Sequence, residues 1–185
     1  MTGSVLWQRV DAAGCEHFRL EDGAEGARLK GTVLLAQDGA PLHVEYEIDC
    51  GPGFATRVAR VTIVAPEPRV LELRVDDEWR WWLDGREIES VAGCRDVDLS
   101  VTPSTNTLPI RRLALPVGGT AEVTAVWIRF PEMTIQPLRQ RYTRTAERLY
   151  RYESPDHSFT ADLRVDEHGI VIDYPPAWRR AAPLP

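Results

Sequence analysis

The chain of 185 residues is predicted to be all-β. Three observations point there. Apolar residues recur with period two in segment after segment, the pattern of half-buried strands. Clusters of Gly, Pro and Asp interrupt those segments every 8–12 residues or so, roughly the spacing of successive short strands. No window sustains a helical period. About ten or more strands of this kind imply a sandwich, a barrel or a strongly curved sheet. The length suits a single domain over residues 1–185.

Taken in order, residues 15–20 place Glu16, Phe18 and Leu20 on one side, and 28–36 carry Leu29, Val33 and Leu35 on a common face. Leu42, Val44, Tyr46 and Ile48 then alternate with His43, Glu45, Glu47 and Asp49 up to the breaker Gly51-Pro52-Gly53. Strands follow over 57–65 and 69–75. Residues 79–83 form another, with Trp79 and Trp81 on one face and Trp82 on the other. Asp84-Gly85 is a two-residue hairpin turn into 86–91. Residues 95–101 point Val97, Leu99 and Val101 inward and Asp96, Asp98 and Ser100 away. A polar segment fenced by Pro103 and Pro109 comes next, in which Thr107 is placed to cap about one helical turn. Residues 121–130 resume the alternation. In 134–144 Pro137 marks an edge or a bulge. The last strands cover 147–152, 159–165 and 169–174, followed by a Pro-rich tail. Leu73-Arg74-Val75-Asp76 recurs as Leu163-Arg164-Val165-Asp166, too short an echo to establish duplication.

Composition narrows the function. A net charge of −6 and a pI near 5.3 argue against a nucleic-acid or anionic-membrane partner. Lys30 is the lone lysine among 22 basic residues, and arginine is the better clamp for carboxylate or phosphate. Cys15, Cys50 and Cys94 are odd in number and widely spaced, so they form neither a disulfide framework nor a zinc motif. There is no secretory leader pattern and no apolar run long enough to span a bilayer, which gives cytoplasmic as the default expectation. No metal or cofactor motif occurs.

Candidate chemistry gathers around residues 93–113. Asp96 and Asp98 share a strand face with Cα atoms roughly 6.5 Å apart, a spacing that could serve glycoside hydrolysis or a divalent ion. Their default role is a solvated strand face. Ser104, Thr105, Asn106 and Thr107 suit sugar hydroxyls or headgroup oxygens, and equally well the backbone of a turn. Arg111 and Arg112 point opposite ways in extended chain; one is expected to pair with Asp96 or Asp98 and the other to meet a ligand anion. Trp81, Trp82 and Trp127 offer stacking or cavity walls. Arg139 with Tyr142 borders an anionic headgroup in this reading.

The run Asp96-Val-Asp-Leu-Ser-Val-Thr-Pro-Ser-Thr-Asn-Thr-Leu-Pro-Ile-Arg-Arg-Leu113 resembles the bacterial family catalogued as putative glycolipid-binding, formerly a domain of unknown function. Trp82 with Asp84-Gly85, Val123 to Phe130, and Leu163 to Asp166 with Gly169, Val171 and Asp173-Tyr174-Pro175 extend the resemblance along the chain. It implies a curved antiparallel sheet closing into a half-barrel, similar to lipoprotein carriers, with a hydrophobic cavity on its concave side. It brings no catalytic residues. The leading expectation is non-catalytic binding of a small amphiphile such as a glycolipid, with no cofactor. An enzyme using Asp96 and Asp98, and an interaction or homodimer module braced by residues 93–113, are the alternatives.

Overall fold

The structure, a computed structural model, describes residues 2–37 and 39–183. Its strands form one large curved sheet that does not close. The first meander comprises β1 (Thr2–Arg9), β2 (Gly14–Gly23), β3 (Gly26–Gln37), β4 (Ala40–Cys50), β5 (Thr56–Ala65), β6 (Arg69–Val75), β7 (Trp81–Leu83) and β8 (Arg86–Glu87). After β9 (Asp96–Leu99) and the helix α1 (Thr107–Leu113), a second meander runs through β10 (Thr120–Arg129), β11 (Thr134–Ala146), β12 (Leu149–Ser154), β13 (Phe159–Val165), β14 (Val171–Tyr174) and β15 (Trp178–Pro183). Pairing of β1 with β15 joins the two meanders in mid-sheet. Every pairing is antiparallel except β9 with β10, which is parallel. β8 and β9 lie at opposite ends of the strand order.

Alternation placed most strands correctly, and the exceptions have local causes. β15 occupies what reads as a Pro-rich tail; the last part of that tail, residues 184–185, lies outside the described residues. β1 shows no clean period because Leu6 interrupts the buried pair Val5 and Trp7. Trp79 sits before β7 in a turn with φ 61°, so it does not share a strand with Trp81. β11 is an inner strand, yet Pro137 obeys the edge rule locally. It faces Val126 on β10, while pairing with β12 begins only at Arg141. The repeated tetrapeptide marks two equivalent turns. Asp76 Oδ1 accepts from the amides of Glu78 and Arg80, and Asp166 Oδ1 from those of His168 and Ile170. All three cysteines are free.

The concave side is filled by the chain itself. Thr102, Ser104, Thr105, Asn106, Thr107, Leu108 and Ile110 are all buried. This segment touches strands far apart in the sheet, through Glu16 of β2, Tyr46 of β4, Asp96 of β9 and Tyr142 of β11. A segment held by both meanders must lie inside the curve, as a plug. Trp81, expected to wall a cavity, is fully buried and donates its indole N–H to the Cys94 carbonyl at 2.9 Å.

A closed ring of hydrogen bonds anchors the plug. Tyr46 Oη lies 2.5 Å from Glu16 Oε1 and 2.6 Å from Ser104 Oγ. Thr102 Oγ1 lies 2.6 Å from Glu16 Oε2 and 2.9 Å from Ser104 Oγ. Four contacts need four hydrogens, and three hydroxyls supply three. The fourth must come from Glu16, so the ring is complete only with a neutral carboxyl. Burial independently pushes that carboxyl up to about 8. Gly31 makes the geometry accessible: a Cβ there would stand 2.2 Å from the Tyr46 ring, which lies flat across β3.

The pH dependence follows from this neutral carboxyl. Between about 4.5 and 8 the folded state keeps a proton that the unfolded chain has released, so stability falls as pH rises, by up to about 1.4 kcal/mol per pH unit. Glutamine keeps the outline and a donor, so Glu16→Gln is expected to flatten this slope in urea titrations at pH 5, 6.5 and 8. A variant that tracks the wild-type slope would show that Glu16 is not its source.

Candidate functional site

Asp96 is buried, which overturns the solvated-face expectation for it, whereas Asp98 is half-buried. Val97 and Leu99 join the main core. Asp96 is 1% exposed and receives a bidentate pair from Arg112, Nε to Oδ1 at 3.0 Å and an Nη to Oδ2 at 2.5 Å. Burial raises the Asp96 carboxyl, and the guanidinium opposes that shift. Asp98, two residues on, faces a cleft instead. Its Oδ2 accepts from Gln140 Nε2 at 2.7 Å, and burial pushes the carboxyl up to about 6. With both oxygens of Asp96 held by Arg112, the two carboxylates do not open together into one site. The arrangement that made them a catalytic or metal-binding pair is absent.

The cleft, of about 420 Å³, lies between the plug and the second meander. Asp98, Ser100 and Asn106 contribute its polar side, and Trp127, Tyr152, Phe159, Tyr174 and Trp178 its aromatic walls. The walls arise from consecutive strands that each present one ring. Tyr152, Phe159 and Tyr174 pack edge to face with centroids 6.0–6.2 Å apart. Trp127 meets His157 at 4.9 Å, and Arg129 lies over it at 5.1 Å. At the rim Arg9 is held bidentately by Asp11, at 2.6 and 3.0 Å, and its guanidinium covers Trp178.

Of the residues singled out in the sequence, the structure brings Asn106, Trp127 and Asp98 together in this cleft. Asn106 is fixed: its Oδ1 accepts from the Tyr142 hydroxyl at 2.8 Å, and its Nδ2 donates to the Pro103 carbonyl. Tyr142 is therefore a buried support, packed on Tyr152. Thr105 accepts from the Leu99 amide. Thr107 opens α1 rather than capping it; the N-cap is Asn106, and the Thr107 hydroxyl is buried without a partner. Trp82 lies apart from the cleft beneath Arg80. Arg111 pairs with Asp22 at 2.8 Å, donates to the His168 carbonyl and covers Phe54. Arg139 is largely exposed and reaches Asp156 at 3.5 Å.

Sequence reasoning missed Arg9, Tyr152, His157, Phe159, Tyr174 and Trp178. Their alternation marks them as strand or turn residues, and only the β12–β15 order makes them neighbours. A groove of about 470 Å³ on the opposite sheet face is lined by Lys30, Glu47 and Arg60, whose charges pair with one another. It offers less to a ligand than the cleft, whose Asp98 carboxylate has no Arg, Lys or His within ion-pair distance among the described residues.

Residues 4–180 match the family described as "Putative glycolipid-binding". The chain belongs to this family. It is also similar to a crystal structure of a DUF1089 family protein (PA1994) from Pseudomonas aeruginosa, with 34% identity and a TM-score of 0.83 over 89% of this chain and 90% of that one. No curated protein matches. No helix among the described residues is long and apolar enough to cross a membrane.

The partnerless Thr107 hydroxyl gives a direct check on its structural role. Thr107→Val removes an unsatisfied buried group without changing shape, and is expected to leave stability unchanged or raise it by about 1 kcal/mol. Denaturant melts measure this; a loss above about 1 kcal/mol would mean that the hydroxyl has a partner.

Proposed function

We propose that this protein binds a sugar-bearing amphiphile, with the headgroup in the cleft beside Trp127. The observation that carries the reading is the cleft's composition: aromatic faces across from a carboxylate and a fixed amide. Sugar rings are apolar on their faces and polar at their edges. They therefore stack on indole or phenol rings while their hydroxyls donate to Asp98. A volume of about 420 Å³ suits a headgroup of one or two rings and lies within the range of small-molecule sites. The family description supports the same class of ligand.

In this reading the headgroup takes the space that the plug leaves beside the second meander, and the tail extends from the cleft mouth. Binding requires no bond-making step, and Asn106, held at both ends of its amide, is preorganised for it.

The test is calorimetric titration with hexyl β-glucopyranoside, below its micellar concentration, on wild type and Trp127→Ala. Wild type is expected to bind saturably. The variant should lose about tenfold in affinity, equivalent to about 1.4 kcal/mol, while keeping its melting temperature within a few degrees. Absence of saturable binding to wild type, or undiminished binding to the variant, would contradict the reading.

A further inference from the structure

We propose that the headgroup selected by the cleft carries a positive charge, a protonated amine on a sugar ring seated against Asp98. This rests on the reading of the cleft as the ligand site and names the ligand class more closely.

The contrast between two aspartates of one strand carries the inference. Asp96 is matched by the bidentate guanidinium of Arg112. Asp98 receives only the neutral amide of Gln140, and among the described residues no Arg, Lys or His lies within ion-pair distance of it. Gln140 is itself buried and held against the Tyr152 hydroxyl at 3.2 Å, so it supplies a fixed donor and no charge. The groups packed near Asp98 from β11, β12 and β14 are the neutral phenols Tyr142, Tyr152 and Tyr174. At the rim Arg9 is neutralised by Asp11, His157 meets Trp127 edge to face, and Arg129 lies over the Trp127 ring at 5.1 Å.

A carboxylate in such surroundings lacks the cation that would offset its desolvation, and a ligand can provide one. The walls favour the same sign. Aromatic faces present negative potential, and a carboxylate beside Tyr152, Phe159 and Tyr174 is the chemistry that holds an ammonium group; Trp127 already carries the Arg129 guanidinium on its face. An anionic headgroup would find the opposite. Arg111 and Arg112 are committed to Asp22 and Asp96, Arg139 reaches toward Asp156, Arg9 is paired with Asp11, and Arg129 is engaged with the Trp127 face.

The experiment is calorimetric titration at pH 7.0 and low salt with three hexyl glycosides: the 2-amino-2-deoxy-β-glucoside, its N-acetyl counterpart and the plain β-glucoside. Hexylammonium chloride is the sugar-free control. The amino glycoside is expected to bind at least tenfold more tightly than the other two glycosides and than hexylammonium. In Asp98→Asn this advantage should disappear. Should that variant not fold, wild type at pH 5.0, below the Asp98 midpoint of about 6, is expected to show the advantage sharply reduced. Equal binding of all three glycosides would overturn the charge requirement while leaving the sugar-site reading intact. An advantage that survives both Asp98→Asn and pH 5.0 would remove Asp98 from the role. Hexylammonium binding as tightly as the amino glycoside would overturn the sugar as the bearer of the charge. No binding by any of the four would overturn both readings.

Discussion

The structure depends on the ring of hydrogen bonds that ties Glu16 and Tyr46 to Thr102 and Ser104. A sheet this wide is curved, and its concave side needs something apolar to bury. The chain supplies its own filling, Leu108 and Ile110, on a segment that must also bring polar backbone and hydroxyl groups inside. Polar groups buried without partners cost about 1–3 kcal/mol each. The ring satisfies four of them at once, provided Glu16 is neutral. Asn106 with Tyr142, and Arg112 with Asp96, complete the attachment on the side of β9 and β11. Once the plug is fixed, one wall of the cleft is fixed with it, because Asn106 belongs to both.

Much of the sheet was legible from alternation, since each strand from β2 to β6 has one face on the core and one towards solvent. The Asp84-Gly85 turn was legible for a sharper reason. Both residues have positive φ, 51° and 75°, which a two-residue hairpin of this kind demands and which Asp and Gly tolerate. Asp96 of β9 was misread because alternation presumes that one face of a strand is wet. Here Arg112 of α1 covers Asp96, and nothing within four residues of Asp96 announces it. The cleft was half legible for the same kind of reason. Asn106 and Trp127 stand out by residue type, whereas Tyr152, Phe159 and Tyr174 acquire meaning only from the neighbouring positions of their strands.

Electrostatics separates structure from function along β9. Two carboxylates share a face and are both lifted by burial, yet one is matched by a guanidinium and the other is not. A matched buried pair holds the plug to the sheet. An unmatched carboxylate at the floor of an aromatic cleft has no comparable structural use, which is why the ligand reading is centred there. The arginines that composition suggested for anion binding serve the fold: Arg111 and Arg112 pin α1 to β2 and β9.

The central claim is that the ligand enters the cleft between the plug and the second meander, and not the packed interior around Trp81. The tryptophan indoles test this most directly, because four of the six are divided between the two places. Trp127 and Trp178 line the cleft, whereas Trp7 and Trp81 are buried in the core with their N–H groups donated to the Val171 and Cys94 carbonyls. In nitrogen–proton correlation spectra recorded through a titration with a hexyl glycoside, the Trp127 and Trp178 indole signals should shift saturably while those of Trp7 and Trp81 stay in place. Shifts centred on Trp81, with Trp127 unmoved, would put the ligand in the packed interior around Trp81 and contradict the account.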